Sequence, residues 1–237
     1  MLVRAVKRAW HRDLVERPST HAWVLSLYRA GEFHPQTVSD YFPTAAAESP
    51  SLRASMERHL RDEQRHVRLY DRAIQSLGEP MLNFEGSDVF NVVIRAETPA
   101  SFATFESQTP DERRDRLAHF LAHAHFLERR ITTSLEYHLE ACERAGRSEV
   151  SKLVQAVQHD EGRHTSYTVE AVHELLPPKR AAQVLEIHRR GEARANLRFS
   201  ARQVRSFCST FSSNTRVPSA MLYRVCASIM ENAHAAL

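Results

Sequence analysis

Six glycines in 237 residues leave too little material for a Gly-rich phosphate loop or a dinucleotide-binding fingerprint. The three cysteines, Cys142, Cys208 and Cys226, are odd in number, widely spaced and outside any metal-binding pattern, which argues against a disulfide scaffold and for a reducing cytoplasm. Lysine is nearly missing, with only Lys7, Lys152 and Lys179 among 32 basic residues. Against 29 acidic residues the net charge is +3, too small to argue for a nucleic-acid partner by itself. No apolar run approaches the roughly 20 residues of a membrane-spanning helix. The N-terminal MLVRAVKRAW is interrupted by Arg4, Lys7 and Arg8 and contains no signal-peptide core.

What is abundant is Ala, Leu, Arg and Glu, with 42% hydrophobic residues overall, the composition of a folded, mostly helical chain. A first helix is expected from about Ser19, through Trp23, Val24, Leu27 and Tyr28, with Pro35 and Pro43 complicating its continuation. Glu48-Ser49-Pro50 reads as the turn into a second helix, 51–77, stopped by Gly78 and carrying an inward stripe of Met56, Leu60, Val67, Tyr70 and Ile74. Residues 79–110, with Pro80, Gly86, Pro99 and Pro110, form a long connection holding a short apolar element at 88–95. A third helix, 111–145, ends at Gly146, and a fourth, 148–176, at Pro177-Pro178. Further helices are expected over 179–205 and 218–235, around a Ser/Thr-rich loop at 209–214. The outline is all-α: a four-helix bundle over 15–177 with one long crossover, and a helical extension over 178–237 of the same domain.

The second and fourth helices repeat a motif. Asp62-Glu63-Gln64-Arg65-His66 and Asp160-Glu161-Gly162-Arg163-His164 are both Asp-Glu-x-Arg-His. Residues three apart share a helix face, so each Glu and His can reach one point in space. Carboxylate with imidazole suits iron or manganese, and the lack of thiolates argues against structural zinc. Bundles that bind a metal pair this way also need a lone carboxylate on each remaining helix. Glu128 precedes Glu161 by 33 residues and sits on an apolar face with Leu121, Ala124, Ile131, Thr132 and Leu135. Glu32 precedes Glu63 by a similar 31 residues, and Glu16, at 47, is the alternative.

On Glu32, Glu63-x-x-His66, Glu128 and Glu161-x-x-His164, the chain resembles the ferritin-like non-haem di-iron carboxylate proteins over residues 15–177. The strings RDEQRHVRLYDRAIQSLGEP and VQHDEGRHTSYTVEAVHELL look most like the oxygen-activating branches. The compact spacing is similar to the tRNA-hydroxylase branch, and the shared motif to hydrocarbon and arylamine oxygenases. The resemblance implies that Glu63 and Glu161 bridge two irons, that Glu32 and Glu128 bind terminally, and that His66 and His164 take one iron each. It also implies that each Asp, Asp62 or Asp160, bonds the histidine of the opposite motif; Arg65 and Arg163 either pair with those aspartates or are solvated helix charges. Thr132, one turn past Glu128, matches a threonine near the oxygen site of related oxygenases, or is an ordinary helix threonine bonded to a backbone carbonyl. Tyr70, four residues after His66, has the offset of the radical tyrosine in ribonucleotide reductase small subunits, or is packing. Tyr167 follows His164 by three. His119, His123 and His159 also lie near the proposed ligands, and His125 is a candidate third nitrogen ligand, as in the arylamine branch.

The expected function is therefore an O2-dependent di-iron oxidase or monooxygenase acting on an organic substrate. Electrons would come from an external reductase or ferredoxin, as no flavin or pyridine-nucleotide motif is visible. Ferroxidation in a ferritin-type cage and a di-manganese catalase are the alternatives. A rubrerythrin-type peroxidase would need a Cys-x-x-Cys module, which is missing, and a metal-free interaction protein leaves the matched motifs unexplained. Arg189, Arg190, Arg194, Arg198, Arg202 and Arg205 form a stripe that could steer an anionic substrate or an RNA backbone, tRNA included, or simply face solvent. A homodimer is compatible with all of these.

Overall fold

The computed structural model describes residues 2–32, 42–84, 89–98, 109–211 and 217–236. Pro35, Gly86, Pro99 and residues 212–214 of the expected loop lie outside them, while 209 and 210 belong to the last turn of a helix. Among the described residues the chain is all-helical, without strands, and no helix is long and apolar enough to cross a membrane. In order, the helices are α1 (Leu2–Glu16), α2 (Pro18–Glu32), α3 (Pro50–Ser76), α4 (Phe90–Ala96), α5 (Pro110–Arg144), α6 (Ser148–Leu175), α7 (Pro178–Thr210) and α8 (Val217–Ala235), with a 3₁₀ turn at Thr44–Ala46.

Local chemistry sets these boundaries. Ser49 caps α3 by accepting the Leu52 N–H, with Pro50 in the first helical position, where its missing donor costs nothing. Thr109 and Glu112 close a capping box ahead of α5, again with proline first. Gly78 and Gly146 follow α3 and α5 at φ +70° and +66°, a backbone state that favours glycine.

The helix expected from about Ser19 is α2, which starts at Pro18, but it is not the first, because α1 precedes it from Leu2. Arg4 and Arg8 face solvent while His11, Leu14 and Val15 are buried, so α1 is an amphipathic helix broken from α2 only at Arg17-Pro18. The inward stripe of α3 is also corrected. It runs through Leu52, Met56, His59, Glu63, His66, Tyr70, Ala73 and Ile74, leaving Leu60 and Val67 half-buried on its flank.

Two apolar clusters fix the relative directions of the helices. One gathers Leu52 and Met56 of α3, Leu117 and Leu121 of α5, and Ala171 and Val172 of α6. The other gathers Ala22 and Leu25 of α2, Tyr70 and Ile74 of α3, Leu135 of α5, and Val150, Val154 and Val157 of α6. Helices α3 and α5 run from the first cluster to the second, whereas α6 runs the opposite way and α2 runs away from the second. The core is thus two antiparallel pairs, α2/α3 and α5/α6, joined by the long connection that carries α4. Packing of α1 on α2 and α5, and of α7 on α4 and α5, covers their outer faces. Between the two apolar clusters, α2, α3, α5 and α6 each contribute polar side chains at one level: Glu32, His59 with Glu63 and His66, Glu128, and Glu161 with His164.

Candidate metal centre

All seven of these side chains are buried, at 0–4% exposure, which is the fact that needs explaining. A carboxylate removed from water without a partner costs several kcal/mol, so four together demand compensating positive charge. Their donor atoms fall into two quartets that share one member. Glu32, Glu63, His66 and Glu161 lie within mutual ligand distance, as do His59, Glu63, Glu128 and His164. Glu161 faces both sets, with Oε1 3.2 Å from His66 Nδ1 and Oε2 3.0 Å from His164 Nδ1. His66 Nδ1 is 3.6 Å from Glu32 Oε2, and His59 Nε2 is 3.2 Å from Glu63 Oε1 and 3.4 Å from Glu128 Oε1.

The hydrogen bonding is directional. Every outward-facing imidazole nitrogen has a partner: His66 Nε2 lies 3.1 Å from Asp160 Oδ2, His164 Nε2 lies 3.3 Å from Asp62 Oδ2, and His59 Nδ1 lies 2.8 Å from the Tyr167 hydroxyl. Several inward-facing atoms, His59 Nε2, His66 Nδ1, Glu128 Oε2 and Glu161 Oε1, are buried without any hydrogen bond. Orphaned donors and acceptors aimed at one point, with their reverse sides anchored, are what a cation site requires. Oxygen and imidazole donors in this ratio fit iron or manganese. Four carboxylates balance two divalent ions. One layer out, Asp62 and Asp160 are balanced by Arg65 and Arg163. Arg163 lies 3.0 Å from Asp62 and 2.5 Å from Asp160, and Arg65 pairs closely with Asp160 and at 3.5 Å with Asp62.

Titration behaviour follows from the same crowding. Burial, and then the charges of Glu63 and Glu161 respectively, push the Glu32 and Glu128 carboxyls well above the usual range. Burial opposes ionisation of Glu161 too, but the His164 and His66 imidazoles beside it outweigh that and hold the carboxyl down at about 2. Burial opposes the charge on His66, yet Glu161 and Glu32 raise it to about 11. Burial and like charge thus favour the neutral carboxyls of Glu32 and Glu128, while the carboxylates beside His66 favour its protonated form.

The remaining candidates divide. Tyr70 is buried beside the centre, its hydroxyl unpartnered and its proton held by burial and by the nearby Glu32 and Glu161. Thr132 Oγ1 is buried without a partner, so neither the backbone bond nor a place in the cavity wall accounts for it. The structure turns His125 away: its Nδ1 meets the Thr165 carbonyl oxygen at 3.0 Å. Glu16 is exposed at the end of α1 and takes no part. His59, not anticipated, occupies the place proposed for His125. Its signal was the four-residue offset before Glu63, which puts it on the ligand face. Among the other histidines, His119 bonds His188 and His123 bonds Asn91.

The arginine stripe of α7 is largely neutralised. Arg189 and Arg190 pair with Glu186, Arg194 and Arg198 with Glu97, and Arg205 with Glu231.

A cavity of about 140 Å³ reaches Glu32, Glu63, Glu128, His59 and Tyr70. Most of its wall is apolar, including Leu27, Phe42, Phe120, Leu127 and Leu135, and α4 and α7 complete it with Phe90, Arg95, Asn196, Phe199 and Ser200. Arg130 also lines it and is held by Glu192 at 2.6 Å. No family model, curated protein or solved structure matches this chain.

Proposed function

We propose that the chain is an O2-activating oxidase or monooxygenase of ferritin-like four-helix build, with a di-iron centre at Glu32, Glu63, His66, Glu128, Glu161 and His164. His59 is added to that set. The observation that carries this reading is the convergence of two buried ligand quartets on Glu63, with an apolar cavity against the same carboxylates. Iron held by these residues would supply O2 reduction there, with the further electrons for turnover coming from an external reductase or ferredoxin. Asp160, Asp62 and Tyr167 fix the tautomers and orientations of His66, His164 and His59. The apolar wall excludes water and holds an organic molecule beside Glu63 and Glu128. Arg95, Arg130, Asn196 and Ser200 suit a polar or anionic group at one end of that molecule, so the favoured substrate is small, mainly apolar and carries one such group. Manganese fits the donor set equally, but the apolar cavity favours organic oxidation over peroxide dismutation or iron storage.

The test is metal analysis of natively purified protein, then anaerobic ferrous loading and stopped-flow mixing with O2. About two irons per chain, and an O2-dependent absorption transient lost in Glu63→Ala and Glu161→Ala, are expected. Failure to bind iron or manganese stoichiometrically would overturn the proposal.

A further inference from the structure

A second cluster of ligand-type side chains sits in the apolar layer beyond Tyr70 and shares no residue with the carboxylate centre. His21 of α2 and His138 of α5 bring their Nε2 atoms within 3.0 Å of each other. Cys142, one turn after His138, places Sγ 3.8 Å from His21 Nε2. All three side chains are buried and their donor atoms lie within mutual ligand distance. Around them are Val15, Leu25, Leu135, Val150 and Val154.

We infer that His21, His138 and Cys142 form a mononuclear site for copper, held as Cu(I). With bonds of about 2.0 Å to nitrogen and 2.3 Å to sulfur, three-coordinate geometry separates two nitrogens by about 3.5 Å and nitrogen from sulfur by about 3.7 Å. The observed 3.0 and 3.8 Å need only small side-chain adjustments to match. Two imidazoles with one thiolate in a trigonal set is a copper arrangement, and thiolate ligation favours the cuprous state. Charge selects the same ion. One thiolate and Cu(I) sum to zero, whereas Zn(II) would leave a net positive charge in an apolar layer. The Arg147 guanidinium, close enough to bear on both His21 and Cys142, adds to that penalty. Burial keeps both imidazoles neutral, as ligands must be. Binding exchanges the thiol proton for the metal: the S–H bond breaks, a Cu–S bond forms and that proton leaves to solvent. The imidazole that donates across the 3.0 Å contact moves its proton from Nε2 to Nδ1 so that both Nε2 lone pairs face copper, without change of oxidation state.

The full chain would be titrated anaerobically with Cu(I), desalted, and studied by copper K-edge X-ray absorption. The carboxylate centre contains no sulfur, so a copper–sulfur shell reports on cysteine ligation alone. One retained equivalent, with one sulfur and two imidazole shells, is expected. In Cys142→Ser and Cys142→Ala that sulfur shell and the retained copper should both be lost, while Cys208→Ser and Cys226→Ser keep them. Circular dichroism establishes that each variant is folded, and having two Cys142 substitutions keeps the test decisive if one misfolds. A sulfur-free copper shell, a sulfur shell that survives in Cys142→Ala, or tighter retention of Zn(II) than of Cu(I) would each overturn the assignment.

Discussion

Asp160 Oδ2 lies 3.1 Å from Nε2 of His66, a residue 94 positions away, and so anchors the outward edge of an imidazole whose inward edge faces the carboxylates. Asp62 does the same for His164, so each repeat of the motif orients the histidine of the other. Removing such a support weakens metal binding by about 10- to 100-fold without removing a ligand. Asp160→Ala should therefore keep two ferrous sites but lower the affinity of the one containing His66. Competition against a ferrous chelator checks this, and unchanged affinity would remove Asp160 from the centre.

His59 separates two views of the centre. If it is a ligand, His59→Ala removes a nitrogen from the quartet with Glu128 and His164 and spares the quartet with Glu32 and His66. The expected result is loss of about one iron equivalent. Tyr167→Phe deletes only the 2.8 Å contact to His59 Nδ1 and should retain both irons with affinity lowered by about 10-fold. Equal stoichiometry in wild type and His59→Ala would return His59 to core packing.

Carboxylate variants should show the same asymmetry. Glu32→Gln and Glu128→Gln each disable one quartet, while Glu63→Gln disables both. Burial favours the neutral form of Glu32 and Glu128, so their neutral amide replacements should leave the melting temperature of metal-free protein nearly unchanged. Loading with metal stabilises the native chain by mass action, and that gain should shrink in the single variants and vanish in Glu63→Gln. Thermal scans with and without ferrous iron under argon measure both effects.

How much of this could be seen in the sequence depended on where the chemistry was local. Ser49-Pro50, Thr109-Pro110, Gly78 and Gly146 act on their own helix ends, so the bounds of α3 and α5 were readable within a residue or two. Glu63, His66, Glu161 and His164 were legible because the motif occurs twice. His59 was passed over, since its four-residue offset before Glu63 stands out among 14 histidines only once the α3 stripe is known to pass through it and not through Leu60. His125 was misplaced for the same reason, because sequence spacing gives angular position only to within a helix face. The walls that α4 and α7 add to the cavity depend on how the long connection folds back, which no local pattern encodes.

Acid should weaken the fold through its buried histidines. Burial lowers His11, His21 and His188 from 6.5 to about 3, so the unfolded chain binds protons that the folded chain refuses. Their stabilising effect is complete above 6.5 and declines as pH falls toward 3, by up to about 1.4 kcal/mol per unit for each group. Metal-free protein denatured in urea at several pH values measures the slope. In His188→Gln, which lies outside both ligand clusters, the proton uptake on unfolding between pH 6 and 4 should fall by about one.

The packing of α7 against the end of α4 gives the last test. A side chain at Gly191 would collide with the Thr98 methyl and come within 3.2 Å of the Glu97 carbonyl oxygen. That carbonyl already accepts a 2.8 Å bond from Arg194, so it has little freedom to retreat. Gly191→Ala gains helix propensity but must push α4 outward, and overpacking of this kind costs about 1–3 kcal/mol. Because α4 and α7 wall the cavity without contributing any of the clustered Glu and His side chains, the variant should bind as much metal as wild type and show weakened hydrogen-exchange protection over 90–98. A fully native melting temperature in Gly191→Ala would mean that the two helices part easily, and that the cavity is gated there instead of rigidly closed.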